Sequence, residues 1–375
     1  MKTLLLAGAS LAVLSASAFA AAFTAGDIVV DETESGATLT SAATAVDLAE
    51  YSPTGTLVQS IAMPTTASGP NAIFTDSGSA GSDGLLTLSP NGEYLALAGY
   101  DATVGASSVV SSGSNRTVAI VNGAGQVDTS TVLSGISGNN IRSAVTTDGN
   151  SIWISGTASG LGVDYTTDGT VGTPVELSAS NTEEVSVYNS QLYASSQHAF
   201  ELATVGTGLP TSSLQAETAL PGLNSTSSNI YEFYLTNLGG GSNPDTLYLA
   251  ESSSSSAGQI QKWSLETGTW VETGDVTLGG AVGLTGEDVN GTVDLFATTA
   301  TKLYSLTDTS GFEGTLNGTL DNIATVANSS DDQFKGVAFA PQSVPEPSTW
   351  AAMLSGFAAL AVYQSRRRGS RALSA

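Results

Sequence analysis

Hydrophobic and polar residues alternate along most of the chain in short runs, each closed by Gly, Asn, Asp or Ser. Alternation of period two places one face of an extended segment in a core, and the breakers mark tight turns, so the pattern predicts many short strands rather than long helices. Two half-units recur. The first is a turn followed by an alternating strand, clearest at Leu88-Ser89-Pro90-Asn91-Gly92-Glu93-Tyr94-Leu95-Ala96-Leu97-Ala98-Gly99. Val145-Thr146-Thr147-Asp148-Gly149-Asn150-Ser151-Ile152-Trp153-Ile154-Ser155-Gly156 matches it position by position, and shorter copies start at Val187, Asn243 and Asn290. Asn-Gly and Asp-Gly supply the positive φ angles that tight hairpins require. The second half-unit is a further alternating strand ending in a Gly-containing turn, at 117–125, 162–169, 200–208, 259–268 and 302–311.

Copies recur about every 40 to 57 residues, the length of one four-stranded antiparallel blade. The pattern resembles the repeat of β-propeller proteins, whose strands often follow a Ser-Pro-Asp-Gly-like turn; Ser89-Pro90-Asn91-Gly92 is the nearest match here. The resemblance spans most of residues 25–341 and implies an all-β ring. The chain also starts and stops out of phase. A second half-unit stands alone at 44–55, and Phe334-Lys335-Gly336-Val337-Ala338-Phe339-Ala340-Pro341 reads as a first half-unit with nothing after it. Joining end to beginning would complete one blade and hide two sheet edges. Five full copies and one split copy predict about six four-stranded blades, with seven as the rival count and a β-solenoid or β-sandwich as the alternative folds.

The two ends depart from this pattern. Lys2, an apolar stretch from Leu4 to Leu14 and the small-residue exits Ala16-Ser17-Ala18 and Ala18-Phe19-Ala20 have the layout of a secretory signal peptide, cleaved after Ala18 or Ala20. At the other end, Val344-Pro345-Glu346-Pro347-Ser348-Thr349-Trp350 leads into an apolar run to Tyr363, followed by Arg366-Arg367-Arg368 and Arg371. This order closely resembles the PEP-CTERM sorting signal, with Pro345, Glu346 and Pro347 as its motif. The resemblance implies recognition by a membrane-embedded exosortase, in Gram-negative bacteria that make extracellular polysaccharide. Physics points the same way: as a helix the run from Trp350 to Tyr363 would rise ~21 Å, and 348–365 ~27 Å, against a hydrocarbon core of about 30 Å. The arginines would remain on the cytoplasmic side. The expected organisation is therefore a signal peptide over 1–20, a propeller-like domain over 21–341 and a sorting segment over 342–375. Within the last, the motif is 345–347, the short transmembrane helix 349–364 and the basic cluster 366–371.

Charge sharpens the picture of the middle. Between residues 21 and 343 the only bases are Arg116, Arg142, Lys262, Lys302 and Lys335, against 33 of the 34 acids, a balance of −28. Such a body repels nucleic acid and anionic lipid and favours solubility and mutual repulsion at a cell surface. Cysteine is absent, which excludes disulfides, thiolate catalysis and Cys-ligated zinc.

Candidate chemistry is sparse. His198 is the only histidine and has no nucleophile at a motif spacing, so a surface or hydrogen-bonded role is expected. The carboxylate pairs Asp31/Glu32, Glu183/Glu184, Glu287/Asp288 and Asp331/Asp332, with Asp47, Asp101 and Asp164, read as a solvated surface; the competing reading is a ring that holds calcium, structural before catalytic. Ser252–Ser256 and Gly239–Gly241 read as flexible loops. The Asn-x-Ser/Thr triplets at Asn115, Asn224, Asn290, Asn317 and Asn328 are expected by chance in so Ser/Thr-rich a chain. Trp153, Trp263, Tyr193, Tyr248, Phe296 and Phe339 fall within the expected strands and read as packing between blades. No catalytic, cofactor or metal residue is assigned. The function expected is an exported cell-surface or biofilm-matrix protein whose propeller is a non-catalytic scaffold or binding platform. Its partners would be the secretion translocon, the exosortase, the inner membrane and extracellular polysaccharide. The alternatives are a calcium-dependent propeller hydrolase, phosphoesterase or lactonase-like, and a carbohydrate-binding protein.

Overall fold

Each of the five complete pairs of alternating strands recognised in the sequence is the middle of an antiparallel sheet of four strands, to which blade two adds the short parallel strand Val171–Gly172. The computed structural model describes residues 21–157, 160–252 and 258–343. The expected signal peptide with Ala18 and Ala20, the sorting segment with Pro345–Pro347 and Arg366–Arg368, and most of the Ser252–Ser256 loop lie outside the described residues.

Six sheets follow one another as six blades of a propeller. Blade two runs outward from Thr87–Leu88 through Tyr94–Tyr100 and Arg116–Asn122 to Val127–Leu133. Blade three holds Ile141–Thr146, Ser151–Gly156, Val163–Thr167 and Val175–Ser178. Blade four holds Thr182–Tyr188, Gln191–Ser196, Leu202–Val205 and Glu217–Ala219. Blade five holds Ile230–Thr236, Thr246–Glu251, Gln259–Glu266 and Thr269–Thr277, and blade six Leu284–Val289, Thr292–Thr299, Lys302–Asp308 and Asp321–Thr325. Blade one is split: the C-terminal strand Asp332–Phe339 is its innermost member and pairs with Ile28–Glu34, followed by Ala43–Tyr51 and Leu57–Ala62. The six-blade count and the end-to-beginning closure expected above both hold. One assignment changes: 334–341 is the inner strand, and its partner is Ile28–Glu34, whose Asp31/Glu32 had read as a solvated pair.

The core sits between blades. Six apolar clusters form, one at each blade interface. In Tyr94–Tyr100 the alternation sorts residues to two interfaces: Leu95 and Leu97 pack toward blade one, Ala96 and Ala98 toward blade three. Middle strands are therefore apolar on both faces, which is why they were the visible part of each repeat. Burying one such side chain contributes about 1.5–3 kcal/mol. Trp153, Tyr193, Tyr248 and Phe296 are buried at these interfaces, as expected, while Trp263 and Phe339 are half-buried. The Trp153 indole N–H donates to the Pro210 carbonyl at 2.7 Å, so its one polar atom is satisfied.

Hydroxyls stitch neighbouring blades. Ser155 donates to the Glu183 carbonyl, Ser195 to Tyr231 and Thr298 to Lys335, each from a blade's second strand to the next blade's inner strand. The hairpins use the expected chemistry. Ser89 Oγ accepts from the Glu93 and Tyr94 N–H groups, Gly92 has φ 73°, and Asn290 and Gly291 have φ 58° and 83°. Gly336 permits the closure itself, since a Cβ there would lie 2.2 Å from the Leu86 nitrogen and 2.6 Å from Glu232 Oε1.

Candidate functional site

The inner strands of the six blades meet at the axis, and the first halves of four of them carry the charge found there. Lys335 comes from blade one, Arg142 from just inside blade three, Glu183 and Glu184 from blade four, and Glu232 from blade five. All five are buried. Strand geometry explains the convergence, because corresponding positions of six radially arranged strands face one another across a narrow axis.

Glu232 ties three other blades together. Its Oε1 accepts from Leu86 N–H at 2.8 Å, and its Oε2 from Leu284 N–H at 2.7 Å and Val337 N–H at 3.3 Å. Burial pushes its carboxyl up to about 8, against the pull of those three donors. Glu184 Oε2 accepts from Phe233 N–H at 2.7 Å, and burial followed by the charge of Glu232 pushes its carboxyl well above the usual range. Glu183 lies 2.9 Å from Arg142 Nη1, which also donates to Asn181 Oδ1 and the Thr182 carbonyl, both at 2.7 Å. Burial outweighs that guanidinium and takes Glu183 to about 8. Replacing Glu232 by Gln turns one acceptor into a donor facing N–H groups. The expected cost is about 1–3 kcal/mol, read as a lower urea midpoint.

Beside this plug lies a second buried cluster. Lys335 Nζ bonds Asp76 Oδ2 at 3.1 Å, the Ser77 carbonyl at 3.0 Å and Asp83 Oδ1; Asp83 Oδ2 accepts from Ser77 N–H at 2.9 Å. Asp31 is fully buried next to them, and neither of its oxygens has a hydrogen-bond partner. Burial, then the charge of Asp76, pushes Asp31 well above the carboxylate range, and burial takes Asp76 to about 7. Against the downward push of burial, Asp76, Asp83 and Asp31 hold the Lys335 ammonium above its ordinary value.

Past Glu184, toward the hairpin turns, the axis opens into a cavity of about 230 Å³. Leu86, Val187, Phe233, Leu284 and Val337 form its walls, and the half-buried Tyr188, Tyr234 and Phe339 lie at the hairpin end. Both ends of the body leave at this face. Gln342 N–H donates to the Gly92 carbonyl at 2.7 Å, and Ser343 Oγ and Phe23 N–H donate to the Gly123 carbonyl at 2.9 and 3.0 Å.

The structure corrects the reading of the carboxylate pairs as solvated surface. Asp31, Glu183, Glu184, Asp164 and Asp332 are buried, and Glu32, Asp47, Asp101, Asp288 and Asp331 half-buried; only Glu287 is exposed. Asp31, Glu183 and Glu184 gather around the axis, while the others are dispersed among the blades. Among the described residues, no group of three or more His, Asp or Glu is arranged to hold a metal ion. His198 is exposed on a loop with φ 71°. Gly239–Gly241 is a pinned turn rather than a free loop, with Leu238 and Gly239 N–H donating to Asp245. Glu232, Asp76 and Asp83 carry no motif that marks them in the sequence. The signal for such interior charge was the scarcity of bases: Arg116, Arg142, Lys262 and Lys335 are all buried, and Lys302 alone is partly exposed among the described residues.

No family model matches the chain, and no curated protein matches it. Solved structures similar to it include two proposed 6-phosphogluconolactonases and a sugar dehydrogenase. The one from Bacteroides uniformis has 10% identity over 80% of this chain and 82% of that chain, TM-score 0.41. The one from Bacteroides fragilis has 10% identity over 83% and 98%, TM-score 0.42. The soluble aldose sugar dehydrogenase of Escherichia coli has 9% identity over 80% and 93%, TM-score 0.43. Likeness of this degree carries no activity over to this chain.

Proposed function

We propose that the protein is an exported, surface-tethered propeller that serves as a non-catalytic binding platform in the cell envelope or its polysaccharide layer. The observation that carries this reading is how the axial carboxylates are used. Glu232 spends both oxygens and Glu184 its Oε2 on backbone N–H groups of other blades, and Glu183 faces Arg142, so most of what a propeller hydrolase would bring to a substrate is here committed to the ring. The address comes from the sequence: a secretory leader, and a Pro345-Glu346-Pro347 signal with its apolar run and Arg366–Arg368, handled by an exosortase-type system. Phe23 and Ser343, near the two ends of the described body, lie on one face, which suits a body held at a single point. Deleting 345–371 is expected to move the protein from the envelope fraction to the medium or to arrest its sorting, as read by fractionation and immunoblot. An unchanged location would overturn the proposal.

A further inference from the structure

We propose that the axial cavity is a binding site for a small organic cation, an amine or quaternary ammonium group, either free or carried on a polymer. The inference rests on the platform reading and names what the platform takes up.

Four aromatic side chains line the cavity, Tyr188, Phe233, Tyr234 and Phe339, and Glu184 lies at its inner end. No Lys, Arg or His is among the lining residues. A phosphate or carboxylate entering it would meet no positive group, whereas a cation would meet aromatic residues and the Glu184 carboxyl, and aromatic surroundings of this kind recognise ammonium groups. The negative charge comes from the mouth. Burial and then the charges of Asp245 and Asp288 raise the Tyr188 hydroxyl, and the charge of Asp288 also reaches Tyr234, so both carboxylates lie near these rings.

The rest of the body reinforces this. Four of its five bases are turned inward, onto Asp308, Glu183, Asp76, Asp83 and backbone carbonyls, so the outer surface has almost no positive charge against the acids it displays. Such a field concentrates cations at any concave mouth and repels anions. At about 230 Å³ the cavity falls below the ~300–1,000 Å³ of drug-sized pockets, which limits the ligand to a small molecule or one head group. Tyr234 is held in place before any ligand arrives. Its ring stacks on Tyr248, with centroids 6.3 Å apart, and lies against Gly286, where a Cβ would come within 2.5 Å of it.

The test is calorimetric titration of the purified full chain at 0.3 M NaCl, with choline and putrescine as free cations, a chitosan oligomer as a polymer-borne amine, and glucose and gluconate as neutral and anionic controls. One-to-one binding of choline or putrescine is expected, with no heat from gluconate and at least tenfold weaker binding of glucose. Binding of the oligomer above that of the free amines would assign the polymer as the source. Tyr188→Leu and Tyr234→Leu should each weaken choline at least tenfold, while Asp321→Asn on the outer strand of blade six should leave it unchanged. If the tyrosine variants do not fold, Asp288→Asn at the rim carries the test, with a threefold loss or more expected. Absence of cation binding, or equal loss in Asp321→Asn and the mouth variants, overturns the proposal. Preference for glucose would overturn it while leaving the platform reading intact, and neither result bears on the location of the tail-deleted chain.

Discussion

Lys335→Met is expected to destabilise the protein by about 3–5 kcal/mol, the cost of removing one partner from a buried ion pair and leaving the other behind. The position concentrates the effect. Lys335 lies on Asp332–Phe339, the strand that closes the ring, while Asp76 and Asp83 lie on the segment that leads from blade one into blade two. The ammonium therefore holds the last-placed strand to the first part of the chain, and it is also the only base among the three buried carboxyls. Methionine keeps most of the stem and its packing but leaves Asp76 and Asp83 without a counterion. The check is urea unfolding followed by tryptophan fluorescence, with limited proteolysis to see whether cleavage starts at the closing strand. A midpoint within error of the parent would show that the cluster does not hold the ring. Combining Lys335→Met with Asp76→Leu and Asp83→Leu removes the stranded charges and is expected to recover much of the loss, because a well-packed apolar set of similar volume often matches a buried ion pair. Recovery would separate the cost of orphaned charge from simple damage to packing.

The middle strands were legible in the sequence for a physical reason: each is apolar on both faces and bounded by a turn with its own chemistry, as at Ser89–Gly92 and Asn290–Gly291. Blade number and split closure followed from counting those strands. The inner strands were harder to see. Thr182–Tyr188 carries two glutamates after its first residue and Ile141–Thr146 carries Arg142, and charges of this kind in a short segment read as surface by every local rule. They are interior because six strands share one axis, and nothing within a single strand reports that. Ile28–Glu34, a middle strand, is obscured by its own charges, with Asp31, Glu32 and Glu34 masking a strand of which the first four residues are buried. The cavity combines residues from five blades and has no signature along the chain.

Stability is expected to rise as the medium is acidified from pH 8 toward pH 5. The groups responsible are carboxyls whose folded values lie above their ordinary ones. Burial takes Glu183 and Glu232 to about 8, and Asp76, Asp164 and Glu32 to about 7, with Asp31 and Glu184 raised as well. A group of this kind binds its proton more tightly folded than unfolded. Its contribution is complete below the unfolded value, near 3.8 for Asp and 4.5 for Glu, and is lost as the pH rises through the folded value. The loss should therefore be steepest between about pH 5 and 8, and each net proton retained by the fold changes stability by about 1.4 kcal/mol per pH unit. Asp308 sets the acid limit. Lys262, Ser310 and Tyr248 hold it below its ordinary value despite burial, so its contribution is present above 3.8 and disappears as the pH falls through its lowered folded value. Melting temperatures measured from pH 4 to 9 should peak on the acid side of neutrality. Repulsion within the acidic body has the same sign, since protonation relieves it, but salt screens exposed charges and hardly touches buried ones. Raising NaCl to 0.5 M should flatten only the surface part, whereas Glu183→Gln, neutral at every pH, should remove part of the slope that persists in salt. A melting temperature that does not change over this range, or that rises toward pH 8, would mean the buried carboxyls are ionised in the native state, although the oxygens of Asp31 and Glu183 accept no hydrogen bond and Glu183 has only the Arg142 guanidinium beside it.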